Sequence, residues 1–140
     1  MPDAAPTRCL IKSTTIDRPA ADVYAFLSDV TNWPRWAVVN ILPVGPSPHP
    51  GWWSIETPQG PAEIRLRADA ATGIVDHDFR DPGYPDDVAT VPARVVANGR
   101  GAHVSLTLFQ PPGMDDADFE REMAPVDREL ATLKELLERA

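Results

Sequence analysis

The chain has 140 residues, 43% of them hydrophobic, which is enough for one core without disulfides or bound metals. Its net charge of −8 disfavours nucleic acid and anionic membranes as partners, because both attract lysine and arginine. No apolar run approaches the roughly 20 residues of a membrane span, and the N-terminus lacks the apolar segment of a signal peptide. We therefore expect a single cytoplasmic domain over residues 1–140, with residues 1–7 flexible, no nucleic-acid partner and no membrane insertion.

The N-terminal part predicts a strand followed by two short helices. Residues 8–16 read as the strand, and Pro19 suits the first turn of the helix that follows. Asn32 is placed to cap a second helical turn, in which two tryptophans flank Pro34. Residues 38–44 predict a second strand. The first helix is indicated by an i, i+3, i+4, i+7 pattern of Val23, Phe26, Leu27 and Val30.

Residues 62–80 predict a hairpin that turns near Gly73. If Ala70 faces Gly73, three pairs of opposite charge align on one face of the hairpin, which is favourable across antiparallel strands. Period-two alternation then places the charged face in solvent and the apolar face in the core. The predicted pairs are Glu63 with Arg80, Arg65 with Asp78, and Arg67 with Asp76.

A second hairpin is predicted at Asn98-Gly99, a dipeptide typical of two-residue type I′ turns. Residues 89–95 would then pair with residues 102–108, and the apolar side chains of both strands would share the inner face. The predicted pairs are Ala89 with Leu108, Val91 with Leu106, Ala93 with Val104, and Val95 with Ala102.

The same alternation assigns single residues to one face. In a strand over residues 52–57, Trp53 faces inward, and Trp52 faces outward near Arg65. Cys9, the single cysteine, cannot form an internal disulfide. Because it lies in an apolar, strand-like stretch, we expect it to be a small buried hydrophobe.

The C-terminal segment predicts a long helix with an apolar stripe spaced 4, 3, 4, 3, 4. Asp115, Asp116 and Asp118 at its start complement the helix dipole. Pro125 should kink the helix or divide it into two segments. A stripe confined to one helix favours packing on a sheet over a coiled coil. Its members are Phe119, Met123, Val126, Leu130, Leu133 and Leu137.

Taken in this order, the elements resemble the START/Bet v 1-like (SRPBCC) superfamily, and within it the small bacterial members of the polyketide cyclase/dehydrase-like branch. The resemblance rests on residues 16–24 and 27–36, the turn at 98–101 and the terminal helix. It implies an α+β helix-grip fold, in which a curved antiparallel sheet of about seven strands wraps around the long C-terminal helix, with two short helices after the first strand. It also implies a cavity for a hydrophobic small molecule, and leaves the activity open because members include carriers, cyclases and co-chaperones.

His77 is the one residue that the sequence suggests as a catalytic group, and it is a weak candidate. The hairpin register places it on the inner face beside Leu66, where an imidazole can act as an acid or base or contact a ligand. The alternative is a core histidine bonded to a backbone carbonyl or to water. Asp76 and Asp78 point to the opposite face, so the Asp-His-Asp string is not a catalytic dyad.

The predicted cavity is apolar apart from His77, a composition that favours binding over catalysis. No cofactor is expected. No metal site is expected either, because His49 lies in a proline-rich loop and His103 on the outer face, away from His77. The residues predicted to line the cavity are Trp36, Trp53, Ile64, Leu66, His77, Phe79, Val91, Leu106, Phe119 and Met123.

Two functions remain open at this point. One is the binding of a lipid, polyketide or aromatic molecule between the sheet and the C-terminal helix, with or without a cyclase/dehydrase-like reaction. The other is a protein-interaction module of the co-chaperone or stress-associated type that uses the outer face. Either would act as a monomer or a homodimer. The outward-facing apolar residues are Trp52, Val88, Val96 and Phe109.

Overall fold

A computed structural model of the chain describes residues 4–38, 41 and 44–140. Within these residues, eight strands form one antiparallel sheet, where about seven were predicted, and the α+β helix-grip architecture is confirmed. The elements are β1 (Cys9–Ile16), α1 (Ala20–Leu27), a 3₁₀ helix (Val30–Arg35), β2 (Val44–Pro46), β3 (Trp53–Thr57), β4 (Gly60–Asp69), β5 (Ile74–Arg80), β6 (Ala89–Val91), β7 (Ala93–Asn98), β8 (Gly101–Phe109) and α2 (Asp116–Arg139). The sheet order is β1-β8-β7-β5-β4-β3-β2, with β6 paired to β5.

The two short helices after β1 are joined by side-chain hydrogen bonds. Asp29, and not Asn32 as predicted, caps the 3₁₀ helix by accepting from the backbone N–H of Thr31. The Asn32 amide instead donates to the carbonyl of Phe26 at 3.1 Å. The indole N–H of Trp33 donates to the carbonyl of Leu27 at 2.9 Å. These bonds to the last turn of α1 fix the direction of the 3₁₀ helix.

The strand predicted over residues 38–44 is only partly described. Residues 39, 40, 42 and 43 lie outside the described residues. Val38 lies in a turn, and the described strand β2 begins at Val44 and ends at Pro46. The backbone N–H of Ile41 donates to the carbonyl of Ala37 at 2.9 Å, a bond of helical spacing. The predicted strand therefore does not begin at Val38, and between there and Val44 only Ile41 is described.

The register of β4 against β5 is the predicted one, with Glu63 opposite Arg80 and Arg65 opposite Asp78. The expectation that this face is solvated is wrong, because Glu63 and Asp78 are 2% and 1% exposed. Arg67 lies opposite Asp76 as predicted, but its guanidinium group donates to Asp78 and shares that carboxylate with Arg65. Arginine side chains folded over the sheet exclude water from the two carboxylates.

The hairpin between β7 and β8 turns one residue later than predicted. Asn98 pairs with Gly101, so Gly99 and Arg100 form the two-residue loop. The shift changes every predicted partner, although it leaves the same side chains on the inner face because strands alternate with a period of two. The observed inner pairs are Ala93 with Leu106, Val95 with Val104, and Ala97 with Ala102.

Pro92 divides the strand that was predicted to run from residue 89 to 95. It has no backbone N–H to donate, and its carbonyl accepts from Thr107 at 2.9 Å. The preceding residues form β6, which pairs with β5, so Val91 faces His77 and the predicted pairing of Val91 with Leu106 is wrong. This rearrangement brings an additional apolar side chain next to His77.

The long helix α2 runs through Pro125 as one element, so the predicted division into two segments is wrong. A proline in a helix costs one backbone hydrogen bond, which the packing of the remaining turns outweighs here. The predicted stripe is confirmed, since all its members are buried except Met123, which is half-buried. Asp115 caps the helix by accepting from the N–H of Asp118 at 2.8 Å. No helix within the described ranges is both long and apolar enough to cross a membrane.

The assignment of Cys9 as a buried residue is wrong, and Trp52 lies on the predicted face but is buried. Cys9 is exposed, because the outward-facing residues of β1 are not covered by another element. Trp52 is only 7% exposed, because the guanidinium groups of Arg65 and Arg80 lie 4.4 and 3.9 Å from its ring. These stacking contacts are cation–π interactions that bury the indole on the outer face. The predicted position of Trp52 near Arg65 is confirmed.

Gly73 and Gly51 provide a matched test of packing at the β4–β5 turn. The two glycines have similar positive φ values, +75° at Gly73 and +85° at Gly51. A Cβ added at Gly73 would lie 2.0 Å from the carbonyl oxygen of Val95, whereas a Cβ added at Gly51 would meet no atom within 4 Å. We expect Gly51→Ala to lower the free energy of unfolding by about 1 kcal/mol through backbone strain. Gly73→Ala should lower it by at least about 2 kcal/mol more. Equal losses in urea unfolding would contradict the close approach at Gly73.

Candidate functional site

The helices cover the inner face of the sheet unevenly. α2 packs mainly against β1, and α1 packs against β7 and β8. Over β3 to β6, fully buried side chains such as Ile64 and Val75 alternate with apolar side chains that contact the core but remain half-buried. Met114, just before α2, and Met123, within it, have the same partial exposure. We call the partly exposed apolar surface of these half-buried side chains the inner cleft. Its half-buried residues are Trp53, Ala62, Leu66, Phe79, Val91, Met114 and Met123.

His77 lies at the closed end of the inner cleft and is 4% exposed. The imidazole ring packs at near-right angles to the rings of Trp33 and Phe79, and its centroid lies 4.7 and 5.4 Å from theirs. Its Nδ1 lies 3.2 Å from the carbonyl oxygen of Val75. Because a carbonyl only accepts hydrogen bonds, Nδ1 carries the proton and Nε2 is left with its lone pair. Within the described residues, no hydrogen-bond partner reaches Nε2.

Burial lowers the pKa of His77 to about 4, because the surroundings disfavour the imidazolium form. The hydrogen bond to Val75 and the charges of Asp76 and Asp78 oppose this shift without overcoming it. His77 is therefore neutral near pH 7. In that state it can accept a hydrogen bond at Nε2, and it is a poor proton donor.

A small enclosed cavity lies against His77 and Trp36. Its volume is about 10 Å³, the space of roughly one water molecule. Trp36 is 3% exposed, and its indole N–H has no hydrogen-bond partner among the described residues. A buried donor without a partner is rare in folded proteins, because it costs folding free energy. Apart from Arg94, the remaining lining residues are apolar and include Leu27, Val75, Val95, Val104 and Leu106.

The predicted cavity residues fall into three groups. Trp36, His77 and Leu106 line the enclosed cavity. Ile64 and Phe119 are fully buried in the core. The other five are half-buried on the inner cleft, so contact of all ten with a ligand stays a prediction. These five are Trp53, Leu66, Phe79, Val91 and Met123.

The enclosed cavity lies beneath α1 and the 3₁₀ helix, and its lining includes no residue of α2. The predicted position of the ligand cavity was between the sheet and α2. On α2, Met123 is half-buried against the core.

The outer face opposite the inner cleft carries a buried polar cluster around Glu63. The carboxylate accepts hydrogen bonds from the hydroxyl of Ser47, from Nδ1 of His49 at 2.7 Å and from Nε of Arg80 at 2.8 Å. Burial alone would raise the pKa of Glu63, but these bonds outweigh it and lower the pKa to about 2. His49 lies in the predicted proline-rich loop, and no local sequence pattern indicates its contact with the distant Glu63.

Asp78 forms the second half of the outer-face cluster. Its carboxylate accepts from the guanidinium groups of Arg65 and Arg67 and from the hydroxyl of Thr90 at 2.7 Å. Burial would raise the pKa of Asp78, but these bonds hold it well below its usual range. Asp78 therefore ties β4 and β6 to β5 from the outside. The same strand carries His77 on the inside, so this cluster positions the candidate site.

The other two histidines lie away from His77. His49 contacts Glu63, and Nδ1 of His103 lies 3.0 Å from the hydroxyl of Thr15. In the part of the chain that the structure describes, no group of three histidine, cysteine, aspartate or glutamate side chains is arranged to hold a metal ion.

No family model matches the sequence, and no curated protein is similar to it at the level of sequence. Solved structures are similar in fold. An uncharacterized protein from Bacillus thuringiensis superposes with a TM-score of 0.70 at 14% identity, covering 92% of this chain and 98% of that one. Ara h 8.0201 superposes with a TM-score of 0.65 at 12% identity, covering 96% and 99%. The chain has the START/Bet v 1-like fold.

A third structure with the START/Bet v 1-like fold is BexL, described as a di-domain ARO/CYC from the BE-7585A biosynthetic pathway. It superposes with a TM-score of 0.69 at 22% identity, covering 94% of this chain and 46% of BexL. The chain therefore spans about half the length of that protein. At these identities, the START/Bet v 1-like likeness establishes the fold, and the site has to be interpreted from its own residues.

The lowered pKa of His77 predicts a specific loss of stability in mild acid. Below the ordinary pKa of 6.5, the unfolded chain binds a proton that the folded chain does not bind until about pH 4. His77 should therefore reduce the free energy of unfolding by roughly 2 kcal/mol between pH 7 and pH 5. Urea unfolding at both pH values should show this difference in the wild type and lose it in His77→Phe. His103→Gln is the control and should retain it, and an unchanged difference in His77→Phe would contradict the assignment.

The outer-face cluster predicts unequal costs for two neighbouring aspartates. Asp78→Asn should lower the free energy of unfolding by about 2–4 kcal/mol, because two arginines lose a buried charged partner. Asp76→Asn should cost less than about 1 kcal/mol, since Asp76 accepts from the N–H of Ala93 at 2.9 Å and an amide oxygen can replace that bond. Thermal or urea unfolding measures both. A larger loss of unfolding free energy in Asp76→Asn than in Asp78→Asn would show that the outer-face cluster is centred on the wrong aspartate.

Proposed function

We propose that this protein binds a hydrophobic small molecule of the lipid, polyketide or aromatic type in the inner cleft, between β3–β6 and the start of α2. The observation that carries this proposal is the row of half-buried apolar side chains on the inner face. Removing apolar surface from water is favourable by roughly 25 cal/mol per Å², so an apolar ligand that covers these side chains is stabilised by the surface that both lose to solvent. The central members are Leu66, Phe79 and Val91.

The composition of the inner cleft supports binding more than chemistry. Ligand sites are typically apolar with a few well-placed polar groups. On the inner face of β3 to β6, His77 is the ionisable side chain among the described residues, and it is neutral near pH 7. The body of a ligand would lie in the open cleft, because the enclosed cavity of about 10 Å³ holds no more than a small group.

A cyclase/dehydrase-like reaction is the enzymatic form of this proposal. BexL, which is described as an ARO/CYC, shares the fold at 22% identity. In this chain such a reaction would have to use His77 as a hydrogen-bond acceptor or base, since its proton lies on Nδ1 and is held by the carbonyl of Val75. The binding proposal does not depend on this step.

The binding proposal predicts that filling the inner cleft abolishes ligand uptake. With 1-anilinonaphthalene-8-sulfonate as the probe, we expect a one-to-one complex by fluorescence titration and native mass spectrometry. Val91→Trp should weaken this complex at least tenfold, because the larger ring occupies the inner cleft. Val96→Trp is the matched control on the outer face, where Val96 is 45% exposed, and it should change binding less than twofold. Absence of a wild-type complex, or unchanged binding in a folded Val91→Trp protein, would overturn the proposal.

The outer face offers a second candidate function, a surface for another protein. Phe109 and Ile11 are 52% and 70% exposed, and both lie on the outer face where β1 pairs with β8. The buried position of Trp52 removes the largest member of the patch that the sequence predicted. If this surface joins two copies, sedimentation velocity should show a dimer that Phe109→Asp dissociates. A monomer for both proteins would count against it.

A further inference from the structure

We propose that the ligand carries a hydroxyl group, as an alcohol, phenol or enol, and that this group is held between the indole N–H of Trp36 and Nε2 of His77. The inference rests on the proposed binding function and specifies the class of molecule that the inner cleft takes. It follows from two residues that line one cavity and that each carry a hydrogen-bonding atom with no partner among the described residues.

The first group is the donor. The indole N–H of Trp36 is buried and has no partner among the described residues. Trp33, three residues earlier, shows how the same group is satisfied within the fold, because its N–H donates to the carbonyl of Leu27 at 2.9 Å. The fold thus uses one indole for structure and leaves the other available.

The second group is the acceptor. The bond from Nδ1 of His77 to the carbonyl of Val75 fixes the tautomer, so that Nε2 carries a lone pair and no proton. Packing of the imidazole against Trp33 and Phe79 fixes the plane of the ring. Nε2 is therefore a positioned acceptor in a buried environment.

The two groups are complementary to one chemical function. Both residues line the same cavity, and the ring of Trp33 touches each of them, with centroids 5.0 Å from Trp36 and 4.7 Å from His77. A hydroxyl can accept from Trp36 and donate to His77 at the same time. A ketone or ester oxygen can accept a hydrogen bond from Trp36 but has no proton to donate to Nε2 of His77. A carboxylate also lacks a proton, would be repelled by the lone pair of Nε2, and would lose its hydration. The cavity of about 10 Å³ fits one hydroxyl, or one water when no ligand is bound.

The strand register connects this cavity to the inner cleft. Leu66 and Val91 lie opposite His77 on the two neighbouring strands, and the ring of Phe79 lies 5.4 Å from the imidazole. A molecule with its hydroxyl in the cavity would therefore extend its hydrocarbon part over these three apolar side chains. This arrangement describes an elongated or polycyclic molecule with a polar hydroxyl at one end.

The test compares two probes of similar size, 2-naphthol and 2-methylnaphthalene, which differ in the hydroxyl. Their dissociation constants are measured by fluorescence for the wild type, Trp36→Phe and His77→Phe, with His103→Phe as the control. We expect the ratio of the two constants to fall about fivefold in each site variant, through weaker binding of 2-naphthol alone. The ratio should be unchanged in His103→Phe.

The outcomes separate the two proposals. If neither probe binds the wild type, the proposed binding function and the hydroxyl site both fail. If both probes bind but the ratio is the same in the wild type and in the folded site variants, ligand binding stands and the hydroxyl site is overturned.

A second measurement does not depend on the variants. Long-range ¹⁵N–¹H NMR spectra of the wild type should show His77 protonated at Nδ1 and unprotonated at Nε2. Addition of 2-naphthol should shift the Nε2 signal and the indole N–H signal of Trp36, and leave the indole signal of Trp33 nearly unchanged. A proton on Nε2 in the free protein, or shifts confined to Trp33, would overturn the assignment.

Discussion

Asp78 lies buried on the outer face of β5, where Arg65, Arg67 and Thr90 donate hydrogen bonds to its carboxylate. A buried carboxylate without such partners would cost several kcal/mol, so β4 and β6, which supply these donors, are held in register with β5 around it. A slip of one residue would turn His77 to the outside and the charged groups into the core. The composition of the inner cleft thus depends on an ionic cluster that no ligand touches.

The site on the other side of β5 follows from incomplete coverage of a single sheet. α2 packs on β1, and α1 packs on β7 and β8, and some apolar side chains on the inner face of β3 to β6 remain half-buried beside the fully buried Ile64 and Val75. At one end of this region, the indole N–H of Trp36 has no hydrogen-bond partner among the described residues, and His77 has its Nδ1 bonded to Val75 and no partner for Nε2 within that part of the chain. The lowered pKa of His77 keeps its imidazole neutral and suited to accept a hydrogen bond from a ligand.

Elements that depend on local periodicity could be predicted from the sequence. The stripe of α2 and the register of β4 against β5 were correct, because each is determined by side chains that repeat along one or two adjacent segments. The turn after β7 was displaced by one residue, since Asn98-Gly99 and Gly99-Arg100 both supply a glycine suited to positive φ. Alternation alone could not separate these registers, because both leave the same residues inside.

Environments that depend on distant residues could not be predicted in this way. Trp52 was assigned to the correct face but is buried, because two arginines of other strands stack on it. The contact of His49 with Glu63 needs a loop to fold back over β4. Trp36 lines a small cavity, but the lack of a hydrogen-bond partner for its indole N–H among the described residues is a property of the packed fold and has no signature in the sequence.

The central claim is that the inner cleft is the ligand site. The most direct test is isotope-filtered NMR on methyl-labelled protein with bound 1-anilinonaphthalene-8-sulfonate, which identifies the methyl groups that lie within a few ångströms of the probe. This account predicts contacts with the methyl groups of Leu66, Val91 and Met123. Contacts with Val88 and Val96 in their place would locate the ligand on the outer face and contradict it.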